Sequence, residues 1–345
     1  MTEGTMAISV NLSWRAHVAL LFLLFMTCFS LGYNSLRWTP ELEKGNDARW
    51  YHRMAENNPD VNPPFRYRIL TPALVRGLMP VVAKIPHGSF NVTSLAFLAV
   101  NSVFLALAAY GLFHIAFVLL RDRVTALLAT LLFVTSFTSA NQYLVGMVDA
   151  AETFFLAMVV LCSLRGWWWV VPLLFGIAAL GKETTIIQST TWLLGYAACR
   201  CLRTKKLERP IVLSACASIL LGLGVIGGVH AAVGGPEYAP HRLSMDQFLQ
   251  IPGTMMGGVF SRCNVYAFAL LLPLGLPRMR RVPSPYLTVS LAMGFVALLA
   301  ASYAQIGSTN FGRPVFTALG PLLSISSAIF LKELFAPPAE NGAGR

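Results

Sequence analysis

The run from Val92 to Leu120 contains no Asp, Glu, Lys or Arg. It is longer than the ~20 apolar residues that carry a helix across the ~30 Å hydrocarbon core of a bilayer. Similar runs recur along the chain. In hydrocarbon every backbone N–H and C=O must be bonded internally, which leaves helices and closed barrels as the spanning structures. The runs are continuous, not alternating, so a barrel is disfavoured and an all-α, polytopic membrane protein is the expected class. Composition agrees: 12% of the 345 residues are charged, about half the ~25% typical of a soluble domain.

The expected spans are residues 16–31, 92–120, 124–140, 148–164, 167–180, 185–199, 211–233, 263–276, 286–305 and 315–331. That makes about ten helices, in one transmembrane domain over residues 1–335 followed by a short Pro/Gly/Ala tail at 336–345. The first span follows Arg15 and could pass for a signal peptide. No clear small-residue cleavage site follows, so it is read as a retained anchor. Residues 33–91 form a long first loop. Within it, residues 69–85 are apolar but broken by Pro72, Arg76, Pro80 and Lys84, which fits a helix lying at the interface. Span 167–180 would reach only about 21 Å. Either the bilayer thins there or the hairpin at Gly181-Lys182-Glu183 sits below the membrane surface.

The formal charge of +11 raises the question of a nucleic-acid partner. In a multispan protein, however, Lys and Arg collect in cytoplasmic loops. With the N-terminus inside, Arg121, Arg123, Arg165, Arg200, Arg203, Lys205, Lys206, Arg209, Arg278, Arg280, Arg281 and Lys332 all fall on the cytoplasmic side. The C-terminus then also lies inside, in the inner or plasma membrane if the protein is bacterial. Membrane lipids, not nucleic acid, are the expected partners of this charge, and the oligomeric state is open. The six cysteines lie almost entirely in or beside apolar runs, without metal spacing, and no disulfide is expected. No His-x-x-x-His, EF-hand, P-loop or Gly-x-Ser-x-Gly occurs. Neither a metal, a cofactor, nucleotide hydrolysis nor a serine nucleophile is expected.

On this topology the unusual polar residues gather on the outer face. They are Asn141-Gln142, Asp149 and Glu152, Lys182-Glu183, Glu237-Tyr238, His241-Arg242, Arg262, Asn310 and Arg313, besides the first loop. Ionisable groups in or at a bilayer are costly and mark substrate sites. Their one-sidedness points to a cavity open to one face, not a path through the membrane. Asp149 and Glu152, three apart at a helix start, share one face; they serve a site or merely suit the helix dipole. Lys182 and Glu183 form a local ion pair or a functional pair. Arg313 binds a ligand or snorkels to the interface. In the loop, Asp47 shares a helix face with Tyr51, and His52 follows. The element Pro64-Phe65-Arg66-Tyr67-Arg68 has restricted backbone freedom. Its guanidinium groups at Arg66 and Arg68 suit bidentate binding of phosphate. His17, His87, His114 and His230 read as incidental.

The segments Asp47-Ala48-Arg49-Trp50-Tyr51, Pro64-Phe65-Arg66-Tyr67-Arg68-Ile69-Leu70-Thr71-Pro72 and Gly181-Lys182-Glu183-Thr184 together resemble the GT-C-type integral-membrane glycosyltransferases, which use polyprenyl-phosphate-linked sugars. The chain departs from that pattern in two respects. Asn46 stands where the family often has a second acidic residue, and no large soluble C-terminal domain follows. The resemblance implies sugar transfer at the extracytoplasmic face, with inversion at the anomeric carbon. Asp47 is then the catalytic base. Arg66, Arg68, Lys182 and Arg313 bind the donor phosphate, and Tyr51, His52, Asp149, Glu152 and Glu183 line the substrate cavity. The alternatives are a lipid-linked saccharide transporter or flippase, and a non-catalytic membrane subunit.

Overall fold

The computed structural model describes residues 13–38, 47–58, 60–85, 88, 90–234, 245–260, 262–304 and 312–335. Among the described residues all regular structure is helical. In chain order the helices are α1 (Trp14–Trp38), α2 (Ala48–Ala55), α3 (Leu70–Val82), α4 (Val92–Leu120), α5 (Arg123–Thr135), α6 (Asp149–Arg165) and α7 (Val170–Ala179). They continue with α8 (Glu183–Thr204), α9 (Arg209–Val233), α10 (Met245–Val259), α11 (Arg262–Phe268), α12 (Leu271–Gly275), α13 (Ser284–Ala304) and α14 (Gly312–Phe335). Five helices, α1, α4, α9, α13 and α14, are long and apolar enough to cross a membrane, as expected of an α-helical membrane protein.

Helix α4 is apolar all round because it is packed all round: it touches α1, α3, α5 and α6. A helix with no polar face is a buried one. Its start is cut by Asn91, whose side chain accepts from Thr93 N at 2.8 Å, an N-cap that satisfies one orphan donor. Helix α14 forms a second centre, against α5, α12 and α13, and α9 lies on α7 and α8. Small residues let helices approach closely where apolar burial gives no driving force. A Cβ at Gly195 would come within 2.9 Å of Val289, and one at Gly294 within 2.5 Å of Leu319. Buried hydroxyls bond back along their own helices, as at Thr130 to Ala126 O (2.8 Å) and Ser163 to Val159 O (2.7 Å). Such back-bonds spare these hydroxyls an unpaired place in an apolar interior.

Three stretches differ from the sequence expectation. The run at 263–276 is not one span but α11, α12 and a 3₁₀ turn over Leu276–Arg281. Pro273 and Pro277 supply no N–H, so the helical ladder cannot close through them. The run at 124–140 ends as an α-helix at Thr135, where Ser136 turns extended and its hydroxyl donates to Phe133 O at 2.8 Å. A π-helical turn over Ser139–Tyr143 follows. Helix α10 was not anticipated: Pro252 and a mixed polar composition hide it from a search for spans.

The two ends of the helix array carry different polar groups. At one end Lys332 meets Asp122 (2.8 Å), Arg278 pairs with Glu333, Arg200 pairs with Glu208 (2.6 Å), and Ser214 donates to Trp168 O (2.7 Å). The other end gathers the C-terminus of α9, the N-termini of α6, α8 and α14, and the segment from Asp47 to α3. Leu70 N donates to Leu180 O at 2.9 Å, which ties the start of α3 to the α7–α8 turn. Gly146, at φ +63°, leaves room for Ala48 and His52, whose atoms would stand 3.1 and 3.2 Å from a Cβ there. Helix α2 is thus seated on the loop that precedes α6.

Candidate functional site

At that second end lies a cavity of about 380 Å³, whose wall includes Asp47, Tyr51, Arg68, Asp149, Lys182, Glu183 and Arg313. Residues from five separate parts of the chain therefore meet in one place. The inner layer is built on Lys182, the extended residue that precedes α8. Its ammonium donates to Asp149 Oδ1 at 2.8 Å and Glu152 Oε2 at 2.6 Å. Thr184 Oγ1 donates to Glu152 Oε1 at 2.6 Å. Asp149 and Glu152 present both carboxylates to one point because they lie three apart on the first turn of α6. The local pair of Lys182 with Glu183 does not form. Lys182 points to α6, and Glu183 accepts from Arg68.

The outer layer consists of two arginine–carboxylate pairs. Arg313 Nη2 donates to Asp47 Oδ2 at 2.7 Å and Nη1 to Asp149 Oδ2 at 3.3 Å. Its own backbone is held in turn: Arg313 O accepts from Thr317 Oγ1 at 3.1 Å and Tyr143 Oη at 3.2 Å. Gln188 Nε2 donates to Pro314 O at 3.2 Å. Arg68 binds Glu183 through two nitrogens, with Nε to Oε2 at 3.0 Å. Its third contact is Nη1 to Tyr51 Oη at 2.7 Å. Burial pushes the Tyr51 phenol above its ordinary value, with Arg68 opposing. Three cations (Arg68, Lys182, Arg313) thus stand against four carboxylates (Asp47, Asp149, Glu152, Glu183) in two adjacent sets, Lys182 and Arg313 with Asp47, Asp149 and Glu152, and Arg68 with Glu183 and Tyr51.

Three residues expected at the cavity are not in its wall. Glu152 lies wholly buried, paired with Lys182. Arg66 stands two positions from Arg68 on a three-residue 3₁₀ turn (Phe65–Tyr67), so the two side chains project in different directions. The Arg66 guanidinium lies over the Tyr67 ring at 5.2 Å and donates to Tyr67 Oη at 3.3 Å. His52 turns away from Tyr51 and stacks on Phe97, with ring centroids 4.8 Å apart and planes 7° from parallel. Burial pulls its pKa down to about 4, with Glu56 opposing, and Nε2 has no hydrogen-bond partner. Asn46, His87, Glu237, Tyr238, His241, Arg242, Asn310 and residues 336–345 lie outside the described residues.

Sequence reasoning missed other wall residues. His230, read as incidental, stacks on Tyr67 with centroids 3.8 Å apart, and both line the cavity with Thr184 and Gln188. The usable signal was position: His230 is a polar residue in the last turn of an apolar helix whose end was expected on the outer face. The remaining wall is apolar. It comprises Ile187 from α8, Ile226 and Val229 from α9, and Ala297, Ala300 and Ala301 from α13, besides residues next to the charged groups. No group of three or more His, Cys, Asp or Glu side chains among the described residues is arranged to hold a metal ion. No protein-family model matches the chain, and no curated protein matches it.

Two outcomes follow from this geometry. Replacing Lys182 with Met leaves buried Glu152 without a cation and Asp149 with Arg313 alone, and breaking a buried pair in this way costs about 3–5 kcal/mol. Thermal unfolding in detergent should show a large drop in midpoint for Lys182→Met, and an unchanged midpoint would contradict the role given to the inner layer. For His52, the folded pKa of about 4 lies below the unfolded value of about 6.5. Between these pH values the unfolded chain binds the proton first, so stability falls as pH drops through that window. His52→Phe, which keeps the stack on Phe97, should flatten this part of the stability curve.

Proposed function

We propose that the protein is a membrane glycosyltransferase that moves a sugar from a polyprenyl-phosphate donor to an acceptor hydroxyl at the extracytoplasmic face. One observation carries the reading. A single cavity joins a charged end, holding Asp47, Arg68, Lys182 and Arg313, to an apolar wall of α8, α9 and α13. Such a cavity matches an amphiphile with an anionic head and a hydrocarbon tail. The tail would lie along Ile187, Ile226, Val229 and the small side chains of Ala297, Ala300 and Ala301, with the phosphate near Arg68 and Arg313.

The topology that goes with this reading has about ten crossings, the interrupted α11–α12 stretch counted as one, with both termini cytoplasmic. Its support is geometric. The helix ends assigned to the outer face meet around the cavity, and the basic loops assigned inside lie at the opposite end, where Lys332 meets Asp122 and Arg278 meets Glu333. Helix α7, at ten residues, is about 15 Å long. It can serve as a crossing only where Lys182 sits below the membrane surface.

In the reaction, Asp47 Oδ1 takes the proton of the acceptor hydroxyl while Oδ2 stays with Arg313 or is released. The acceptor oxygen then attacks the anomeric carbon, and the bond from that carbon to the phosphate oxygen breaks. General-base assistance of this kind contributes about 10²–10⁴-fold. Negative charge grows on the departing lipid phosphate, where Arg68 and Arg313 are placed to stabilise it. Asp149 and Glu152 keep Lys182 and Arg313 in position and are themselves too buried to meet a substrate freely.

The test is transfer by purified protein from a panel of polyprenyl-phosphate sugars. Product should form with at least one donor, and Asp47→Asn should lower turnover by at least about 100-fold with the unfolding midpoint retained. Movement of the lipid across a vesicle membrane without transfer would instead establish a transporter. Undiminished turnover in Asp47→Asn would remove Asp47 from the chemistry.

A further inference from the structure

The cations of this cavity are already neutralised by the protein's own carboxylates, which a phosphate site has to overcome. The carboxylates differ in how firmly they are held. The side chains of Asp149 and Glu152 are 3% and 0% exposed, whereas those of Asp47 and Glu183 are 33% and 39% exposed. A buried carboxylate that leaves its cation must be solvated again at the cost of a rearranged interior. A half-exposed one is solvated by the cavity's own water.

The guanidinium groups, in contrast, have second anchors in the cavity wall whose side chains are buried. Arg68 keeps its bond to Tyr51 Oη (2.7 Å), and the Tyr51 side chain is buried. Arg313 keeps Asp149 (3.3 Å), also buried. Glu183, on the first turn of α8, retains a favourable helix dipole when Arg68 is taken from it. In each outer pair the cation is the fixed member and the carboxylate the movable one.

We infer that Asp47 and Glu183 are resident counter-anions, which the phosphate of the incoming lipid displaces from Arg313 and Arg68. This rests on the reading of the cavity as a lipid-phosphate site and adds an order to it. While the site is empty, Asp47 is tied to Arg313. Once phosphate takes Arg313, both oxygens of Asp47 are available to an acceptor hydroxyl, so the base is armed only when the donor is in place. The two vacated guanidinium groups also match the charge that develops. A sugar-phosphate-lipid diester carries one negative charge, and the lipid phosphate monoester left after transfer carries about two. The match therefore improves as the glycosidic bond breaks, which is the condition for stabilising the transition state more than the substrate.

The experiment is binding of farnesyl phosphate, a product-like prenyl monoester, to detergent-solubilised protein by calorimetry. Wild type, Glu183→Gln and Asp47→Asn are compared, with Asp60→Asn as a control that removes one exposed carboxylate of the first loop, paired with Arg53. Removing a like charge that competes for the same guanidinium should tighten binding by about tenfold in Glu183→Gln and in Asp47→Asn, and leave Asp60→Asn at the wild-type Kd. Wild-type binding with unchanged or weaker affinity in both site variants would overturn the displacement while leaving the lipid-phosphate site intact. An equal gain in Asp60→Asn would also overturn it, since overall charge would then explain the effect. Absence of binding in all four proteins would overturn the site reading and the displacement together.

Discussion

The ammonium of Lys182 lying between Asp149 and Glu152 is the contact on which the rest of this end of the protein depends. It fixes the α7–α8 turn against the first turn of α6, and that placement sets every other charged group. Asp149, held by Lys182, offers its second oxygen to Arg313 and so fixes the start of α14. Glu183, the residue after Lys182, is thereby aimed at Arg68 and the first loop. A buried salt bridge of this kind stabilises the fold little compared with a well-packed apolar replacement, and its use is to specify one arrangement. Here the arrangement it specifies is a cavity with charge at one end only.

The first loop is the other half of the construction. Tyr51 and Asp47 both reach the cavity because α2 is short and is seated on Gly146, and because the start of α3 is bonded to Leu180. The loop acts as a wall built onto the helix array. The apolar side of the cavity comes from the small or branched side chains of α8, α9 and α13. A charged head and a long apolar tail, joined in that order, are what such a space accommodates.

Much of this was legible in the residues. Long uncharged runs announced the helices, since nothing else satisfies a backbone in hydrocarbon, and α4, α6, α9 and α13 fall close to their expected limits, whereas α1 runs on to Trp38, into the expected first loop. Asp149, Lys182 and Arg313 stood out because ionisable groups at helix ends in an apolar chain need partners. What could not be read was which partner each would take. Lys182 and Glu183 are neighbours in sequence, yet an extended residue at Lys182 sends the two side chains to opposite partners. Arg66 and Arg68 looked equivalent as a motif, and only the turn between Phe65 and Tyr67 separates them. His230 was read as incidental because one histidine in an apolar helix forms no motif, and only its place at the outer helix end marked it. The broken 263–276 run shows the reverse error: hydropathy counted Pro273 as tolerable, whereas the backbone ladder did not close through it.

The most direct test of the central claim is a structure of the protein with a prenyl phosphate bound. The account predicts phosphate oxygens within hydrogen-bond distance of Arg68 and Arg313, Asp47 and Glu183 turned off those guanidinium groups, and the tail along Ile226, Val229 and Ala297. A phosphate bound elsewhere, or one bound there with the Asp47–Arg313 and Glu183–Arg68 pairs both intact, would contradict it.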